Sequence, residues 1–315
     1  MKHYTLNSLA NKAANCLNGG SKVWKKVASV CFAAVFMFGM AACQGGNSGE
    51  SKGNKAASGP DYSDYKKIEV KGKTIVNDAH KGDASLTKIR IPDKVEVIRG
   101  GAFRGCPELT HVVMPKSLVS ADQESFSDCP KLEEVIFPDG TKIICDKSFN
   151  NCPNLKSVKL PAKCYCVGIS AFENCTNLAE ITFSPALQLI YDRAFAGSQA
   201  LKRVLLPATV EKVDSTAFIN CPNVEELAIP QAIRYNVFEI FRHSTNLKKL
   251  YILSLSHYKF PKNNPIKGFP NKECKVYVQD SQVDEYKKDP TWSKFGEILP
   301  LSQSGIYDGM GMLIQ

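Results

Sequence analysis

From residue 86 to residue 253, apolar side chains return at an unbroken interval of 23 positions. The anchor is Phe103, Phe126, Phe149, Phe172, Phe195, Phe218 and Phe241, and three positions after it stand Cys106, Cys129, Cys152, Cys175, Ser198, Cys221 and Ser244. The sixth position is leucine in every copy but one, from Leu109 to Leu247. The ninth is Val112, Val135, Val158, Ile181, Val204, Leu227 and Leu250, and the eleventh is apolar throughout, from Met114 to Ile252. These two alternate with polar or mixed residues, the period-two signature of a strand with one buried face. Proline follows in Pro115, Pro138, Pro161, Pro207 and Pro230. It has no N–H to donate and a fixed φ, so it ends the ladder and turns the chain. Leu86, Ile89, Ile91 and Pro92 form a half-unit in the same register, so the pattern predicts one short strand per repeat and eight rungs.

Downstream of each strand, Val95 and Ile98, Leu118 and Ala121, Val210 and Val213 recur three apart, and Ala102, Ala171, Ala194 and Ala217 precede the phenylalanine. Small-then-Phe predicts a tight helical turn whose ring plugs the interior. A unit this short cannot bury its own apolar face, so copies must stack. The predicted fold is an α/β-type solenoid, mostly β: a right-handed coil of 23-residue repeats with a parallel sheet of about eight rungs, capped at both ends. The rungs lie ~4.8 Å apart.

The unit Leu155, Val158, Leu160, Pro161, Ala171, Phe172, Cys175 and Leu178 resembles the BspA-type leucine-rich repeat of bacterial surface and secreted proteins. The resemblance covers residues 86 to about 253 and departs at the last copy, where Asn236, Ile240 and Leu253 replace an aliphatic, a small residue and a proline. It implies a leucine-rich repeat coil that recognises proteins or glycans, some relatives acting as adhesins toward host matrix proteins.

Outside the repeats, Lys25 and Lys26 precede an apolar run from Val27 to Ala42 that ends at Cys43. The run is shorter than the ~20 residues of a spanning helix. Residues 1–42 read as a signal peptide, and Met40, Ala41, Ala42 and Cys43 resemble a bacterial lipobox, which makes Cys43 the lipidated residue; an uncleaved anchor or plain secretion are the alternatives. Residues 43–61, rich in Gly, Ser, Asn and Lys, read as a flexible tether. Residues 62–85 break the 23-residue frame and read as an N-terminal cap with a hairpin turning at Lys71 and Gly72. Residues 254–315 read as C-terminal cap and tail: a strand at Cys274–Val278, a short helix near Ser281–Lys288 with Ser281 as N-cap and Asp284 and Glu285 in the first turn, then Trp292, Phe295 and Ile298 folding back over the last rung.

Composition narrows the chemistry. The formal net charge is +9, and without the five lysines of residues 1–42 it falls to +4, a balance that argues against nucleic acid as partner. Five of the 12 cysteines occupy one repeat position, where Cys is a small buried hydrophobe and Ser is accepted. Cys164 falls on an apolar position; in-register repeat cysteines come within Cα reach of an S–S bond that packing does not require, and Cys145 with Cys166 is a conceivable bridge. No metal is expected, because the cysteine interval is the repeat's own period and no His accompanies it. No cofactor and no catalytic residue is expected either. His80, His111, His243 and His257 lack any nucleophile or zinc-protease motif. Glu134, Glu180 and Glu226 recur on alternate rungs, ~10 Å apart, beyond the ~5–9.5 Å of glycosidase pairs.

Binding is legible only on the outward strand positions. The eighth position gives Lys88, His111, Glu134, Ser157, Glu180, Arg203, Glu226 and Lys249, a row of mixed charge. The tenth gives Arg90, Val113, Ile136, Lys159, Thr182, Leu205, Ala228 and Tyr251, an apolar stripe rimmed by charge that suits a protein contact. The sequence thus predicts a non-enzymatic, monomeric lipoprotein of the cell envelope, held at the outer membrane by its lipid alone, which binds an unidentified protein or glycan ligand through this face. The alternative is a structural or assembly subunit of a periplasmic or outer-membrane complex.

Overall fold

The computed structural model describes residues 61–233, 240, 244, 246–257 and 272–308. The leader, Cys43 and all but the last residue of the tether lie outside the described residues, as do Phe241 and His243. Within residues 64–308 the repeats form a mostly β, parallel solenoid.

The eight predicted rungs are Lys88–Arg90, His111–Val113, Glu134–Ile136, Ser157–Lys159, Glu180–Thr182, Arg203–Leu205, Glu226–Ile229 and Lys249–Ile252. Every paired rung meets its equivalent residue one repeat on, as in Ile89↔Val112↔Val135 and Val204↔Leu227↔Leu250. All the ninth-position side chains but Ile181 are buried, and Ile181 packs partly buried against the same core. Each proline opens a turn, its carbonyl accepting the amide three residues on: Val95 to Pro92 at 2.9 Å, Leu118 to Pro115 at 3.0 Å and Val210 to Pro207 at 3.1 Å.

Up to Lys212–Val213, the repeats lay down two strands each, not one. Thr74–Ile75, Val97–Ile98 and Ser120–Ala121 form one parallel stretch of a second ladder, and Ile143–Ile144, Cys166–Val167, Leu189–Ile190 and Lys212–Val213 form another. The spacing of three between Val95 and Ile98 looked helical because a proline turn and a two-residue strand meet there, each sending one side chain inward.

The phenylalanine arc is also not a helix. Around Phe149 the amides alternate in direction: Lys147, Phe149 and Asn151 donate to Ile169, Ala171 and Glu173 of the next turn, each at 2.8 Å, whereas Ser148 and Asn150 close back on Cys145 and Lys147. Two left-handed columns make this alternation. One lies two residues after the anchor, at Gly105, Asp128, Asn151, Asn174, Gly197 and Asn220; the other lies two before it, at Gly101, Glu124, Lys147, Ser170 and Arg193. Gly, Asn and Asp suit that conformation, while the other side chains each accept roughly 1–2 kcal/mol of strain, offset by the cross-turn hydrogen bond.

The rings form one continuous column. Phe103, Phe126, Phe149, Phe172, Phe195 and Phe218 stack at centroid distances of 4.9–5.6 Å with interplanar angles of 5–12°. The cysteine column locks onto it: the thiols of Cys129, Cys152, Cys175 and Cys221 donate to the carbonyls of Phe103, Phe126, Phe149 and Phe195 at 3.2–3.3 Å. In the same slot the hydroxyl of Ser198 is buried without a partner, its shorter bond leaving the oxygen out of reach.

Both caps extend the coil. Residues 66–85 make no hairpin: Lys66–Lys67 pairs parallel with Lys88–Arg90, and Thr74–Ile75 pairs parallel with Val97–Ile98. The frame persists, since Ile68, Ile75 and His80 sit one period before Ile91, Ile98 and Phe103, and His80 stacks on Phe103 at 5.0 Å and 10°. At the other end Lys275–Val278 and Glu297–Pro300 continue the first ladder in parallel. The helix spans Val283–Lys288 with Asp284 and Glu285 in its first turn. Its N-cap is Gln282 rather than Ser281, because a 3-10 turn at Asp280–Gln282 leads into it. Trp292, Phe295 and Ile298 close the core as expected.

Two stability outcomes follow from the column. Phe149→Ala should cost ~3–5 kcal/mol in urea unfolding, with the loss of exchange protection greatest in the adjoining repeats. Ser198→Cys should gain about 1 kcal/mol by satisfying the carbonyl of Phe172; a lower urea midpoint would show that the slot does not tolerate sulfur.

Candidate functional site

The outward strand face divides into three stretches. At its start, Lys88 pairs with Asp64 and lies 5.7 Å from the ring of Tyr65, while His111 meets the edge of that ring and stands 3.9 Å from Glu134. Arg90 faces Asp93 at 3.5 Å. Beside these, Val113 is buried, which corrects the expectation that it is displayed, and Ile136 is half-buried.

The middle stretch is open. Ser157, Lys159, Glu180 and Thr182 are all exposed, and among the described residues none of their side chains has a hydrogen-bond or ion-pair partner. Elsewhere the rungs neutralise one another. Glu108 binds Lys131 and Glu133 binds Lys156, both at 2.6 Å; Glu225 binds Lys248 at 3.1 Å; and Glu226 accepts from Arg203 and Lys249, both at 3.2 Å. These pairs span one repeat, so register alone brings them together. Exposed pairs of this kind contribute ~0–1 kcal/mol each; their main effect is to leave little net field along the ladder.

The last stretch is covered by the chain itself, which corrects the expectation for Ala228 and Tyr251. Both are fully buried, and Leu205 is half-buried, under Leu301, Ile306 and Tyr307. Tyr251 stacks on Tyr277 at 5.1 Å and meets Tyr307 at 5.4 Å, in an apolar cluster separate from the main core. The tail is shaped by polar side chains: Ser302 donates to Asp280 from its amide and hydroxyl, and the hydroxyl of Ser304 accepts the amides of Ile306 and Tyr307. Burial, then the Glu226 carboxylate, pushes the Tyr251 phenol up, and its hydroxyl donates to Glu226 at 3.3 Å. The apolar stripe is therefore not open from end to end. Leu299, Leu301, Ile306 and Tyr307 carried the signal in sequence, as apolar residues in a tail with nothing else to cover.

A family model described as "BspA type Leucine rich repeat region" matches in six copies, over residues 73–198 and 168–264. The chain belongs to the BspA-type leucine-rich repeat family. The match begins inside the stretch read as a cap, in line with the retained frame at Ile75 and His80. Among solved structures, a leucine-rich repeat protein from Eubacterium ventriosum is 24% identical, with 49% of this chain and 42% of that one covered and a TM-score of 0.46. The leucine-rich repeat protein of T. pallidum is 23% identical, covering 54% of this chain and 79% of that one at a TM-score of 0.45, and one from Bacteroides ovatus is 20% identical, covering 72% and 63% at 0.39. This chain thus spans less than half the length of the first of them. No curated protein matches it.

In this BspA-type chain the cysteines are packing groups. All nine among the described residues are buried, Cys145 and Cys166 included. Burial pushes the thiols of Cys175, Cys221 and Cys274 up to about 12 and that of Cys164 up to about 11. A protonated thiol is a poor nucleophile. Among the described residues no group of three or more His, Cys, Asp or Glu is arranged to hold a metal ion. His80 is the ring that ends the phenylalanine column, and His257 packs edge-on against Tyr286 at 4.4 Å.

Raised thiols make stability depend on pH in a definite direction. In the unfolded chain they ionise near the ordinary thiol value of 9.0, while in the fold they stay neutral to about 11 or 12. Above pH ~9 the unfolded state therefore releases more protons, and stability falls as pH rises by about 1.4 kcal/mol per unit for each thiol. Urea midpoints between pH 8 and 10.5 should drop steeply, with a shallower slope in Cys175→Ala; an equal slope in both proteins would assign the loss to other groups.

Proposed function

We propose that this protein is a non-enzymatic recognition module of the bacterial cell envelope, holding a protein or glycan ligand against the outward strand positions of its coil. The reading rests on one observation: Ser157, Lys159, Glu180 and Thr182 form an exposed, unpaired polar stretch in a ladder whose other charges are largely paired. Donors and acceptors left without internal partners offer hydrogen bonds to a ligand with no internal contact to break first. Half-buried Ile136 and Leu205 border the stretch and supply apolar area, so the contact has a mixed character suited to a protein or sugar surface. Membership of the BspA-type family supports a binding role over a catalytic one.

In this reading Cys43 carries the lipid, residues 44–60 tether the coil to the outer membrane, and the coil acts as an adhesin. The ligand-facing set is Arg90, His111, Glu134, Ile136, Lys159, Glu180, Thr182, Arg203 and Leu205, with Glu226 and Lys249 beside the buried Tyr251.

The test is capture of purified matrix proteins and of envelope extract on the immobilised full chain, compared with a Lys159→Glu, Glu180→Lys, Thr182→Lys variant. The variant should melt like the parent and lose capture about ten-fold or more. Undiminished capture would move the ligand off this face. Protease shaving of intact cells should release the coil; retention would favour a scaffold inside the envelope.

A further inference from the structure

Beside the start of the face, and sharing Arg90 with it, lies an open groove of about 970 Å³, lined by Lys67, Lys71, Arg90 and Lys94 and by the carboxylates of Glu69 and Asp93. Cations elsewhere on the ladder commonly have a carboxylate one rung away, as Lys131, Lys156, Lys248 and Lys275 do. In the groove the balance is different. Among the described residues Lys67, Lys71 and Lys94 have no carboxylate partner; Lys94 reaches only the carbonyl of Val70. Asp93 is already engaged, facing Arg90 at 3.5 Å and accepting the amide of Lys116 at 2.9 Å. Glu69 alone is left to offset three exposed ammonium groups.

Lysines on a terminal strand discourage edge-to-edge pairing, and Lys66–Lys67 is the terminal strand of its sheet. That accounts for Lys67. Lys71 and Lys94 lie outside any strand and line the same groove.

The geometry points to a second binding site here, for an acidic polysaccharide bearing sulfate or carboxylate groups. Separated cations along an open trough match charges repeated along a polymer, whereas a single phosphate needs donors that converge. Glu69 supplies an acceptor for sugar hydroxyls, and half-buried Val70 offers an apolar surface to the C–H face of a ring. No aromatic side chain lines the groove, so stacked nucleic acid bases have no platform.

Heparin is the probe, offered to the full chain carrying Cys43→Ser so that no lipid intervenes. Binding by calorimetry should weaken steeply with added salt, as counterion release requires, and neutral dextran should not bind. The K67Q/K71Q/K94Q variant should lose about ten-fold or more in affinity. The charge-matched control K163Q/K202Q/K288Q, at exposed lysines elsewhere, should stay within about three-fold. The strand-face variant should bind heparin like the parent, which separates this site from the proposed ligand face. Equal losses in both lysine variants would reduce the effect to net charge and overturn the proposal, as would unchanged binding by the groove variant. Tighter, groove-dependent binding to phosphatidylglycerol vesicles than to heparin would also overturn it, in favour of a lipid surface.

Discussion

Every anchoring phenylalanine with a described successor gives its amide to the turn that follows, and the rest of the structure depends on that donation. Phe126 to Ser148, Phe149 to Ala171 and Phe195 to Ala217, at 2.8–2.9 Å, fix the rise between turns at a ring-stacking distance. The rings then fill the interior without gaps. With the rise set, the thiol three residues on reaches the carbonyl of the ring below, and the two strand ladders fall into register. A buried backbone needs every polar group satisfied, and this arc does so by alternating inward and forward donation where a helix would send all its amides backward. Its cost is the left-handed backbone at Glu124, Lys147 and Arg193, where such side chains are seldom found.

Much of the fold was legible because burial leaves a periodic trace. The ninth-position aliphatics, the phenylalanines and the small third position each report a contact made by a side chain. What escaped was set by the backbone. The second ladder is only two residues wide per turn, so alternation has no room to show. The left-handed column at Asp128, Asn151 and Asn174 is readable in retrospect from its Gly, Asn and Asp content, whereas the one at Glu124, Lys147 and Ser170 is not. His80 was overlooked as a repeat residue because histidine replaced the expected ring, and with it the frame of the N-terminal turn.

The candidate face was harder to read, for a different reason. An outward position is exposed only if nothing distant in sequence lies over it, and periodicity holds no record of distant segments. Ala228 and Tyr251 sit in the same column as Lys159 and Thr182, yet Tyr307 decides that the first pair is dry and the second wet. Charges obey a similar logic. A Lys and a Glu at one repeat position on successive rungs must meet, so the paired part of the face was derivable from the 23-residue interval, as Glu133 with Lys156 illustrates.

The ring that opens the column carries a consequence for solubility. A stack of phenylalanines ending in another phenylalanine would offer a flat, dry terminus to the equivalent terminus of a second molecule. His80 matches the shape of the stack on one side, and its partly exposed imidazole, 3.9 Å from Asp83, keeps a hydrated edge on the other. Among the described residues, an architecture whose every turn is a template for the next thus opens on a ring whose outer edge is polar.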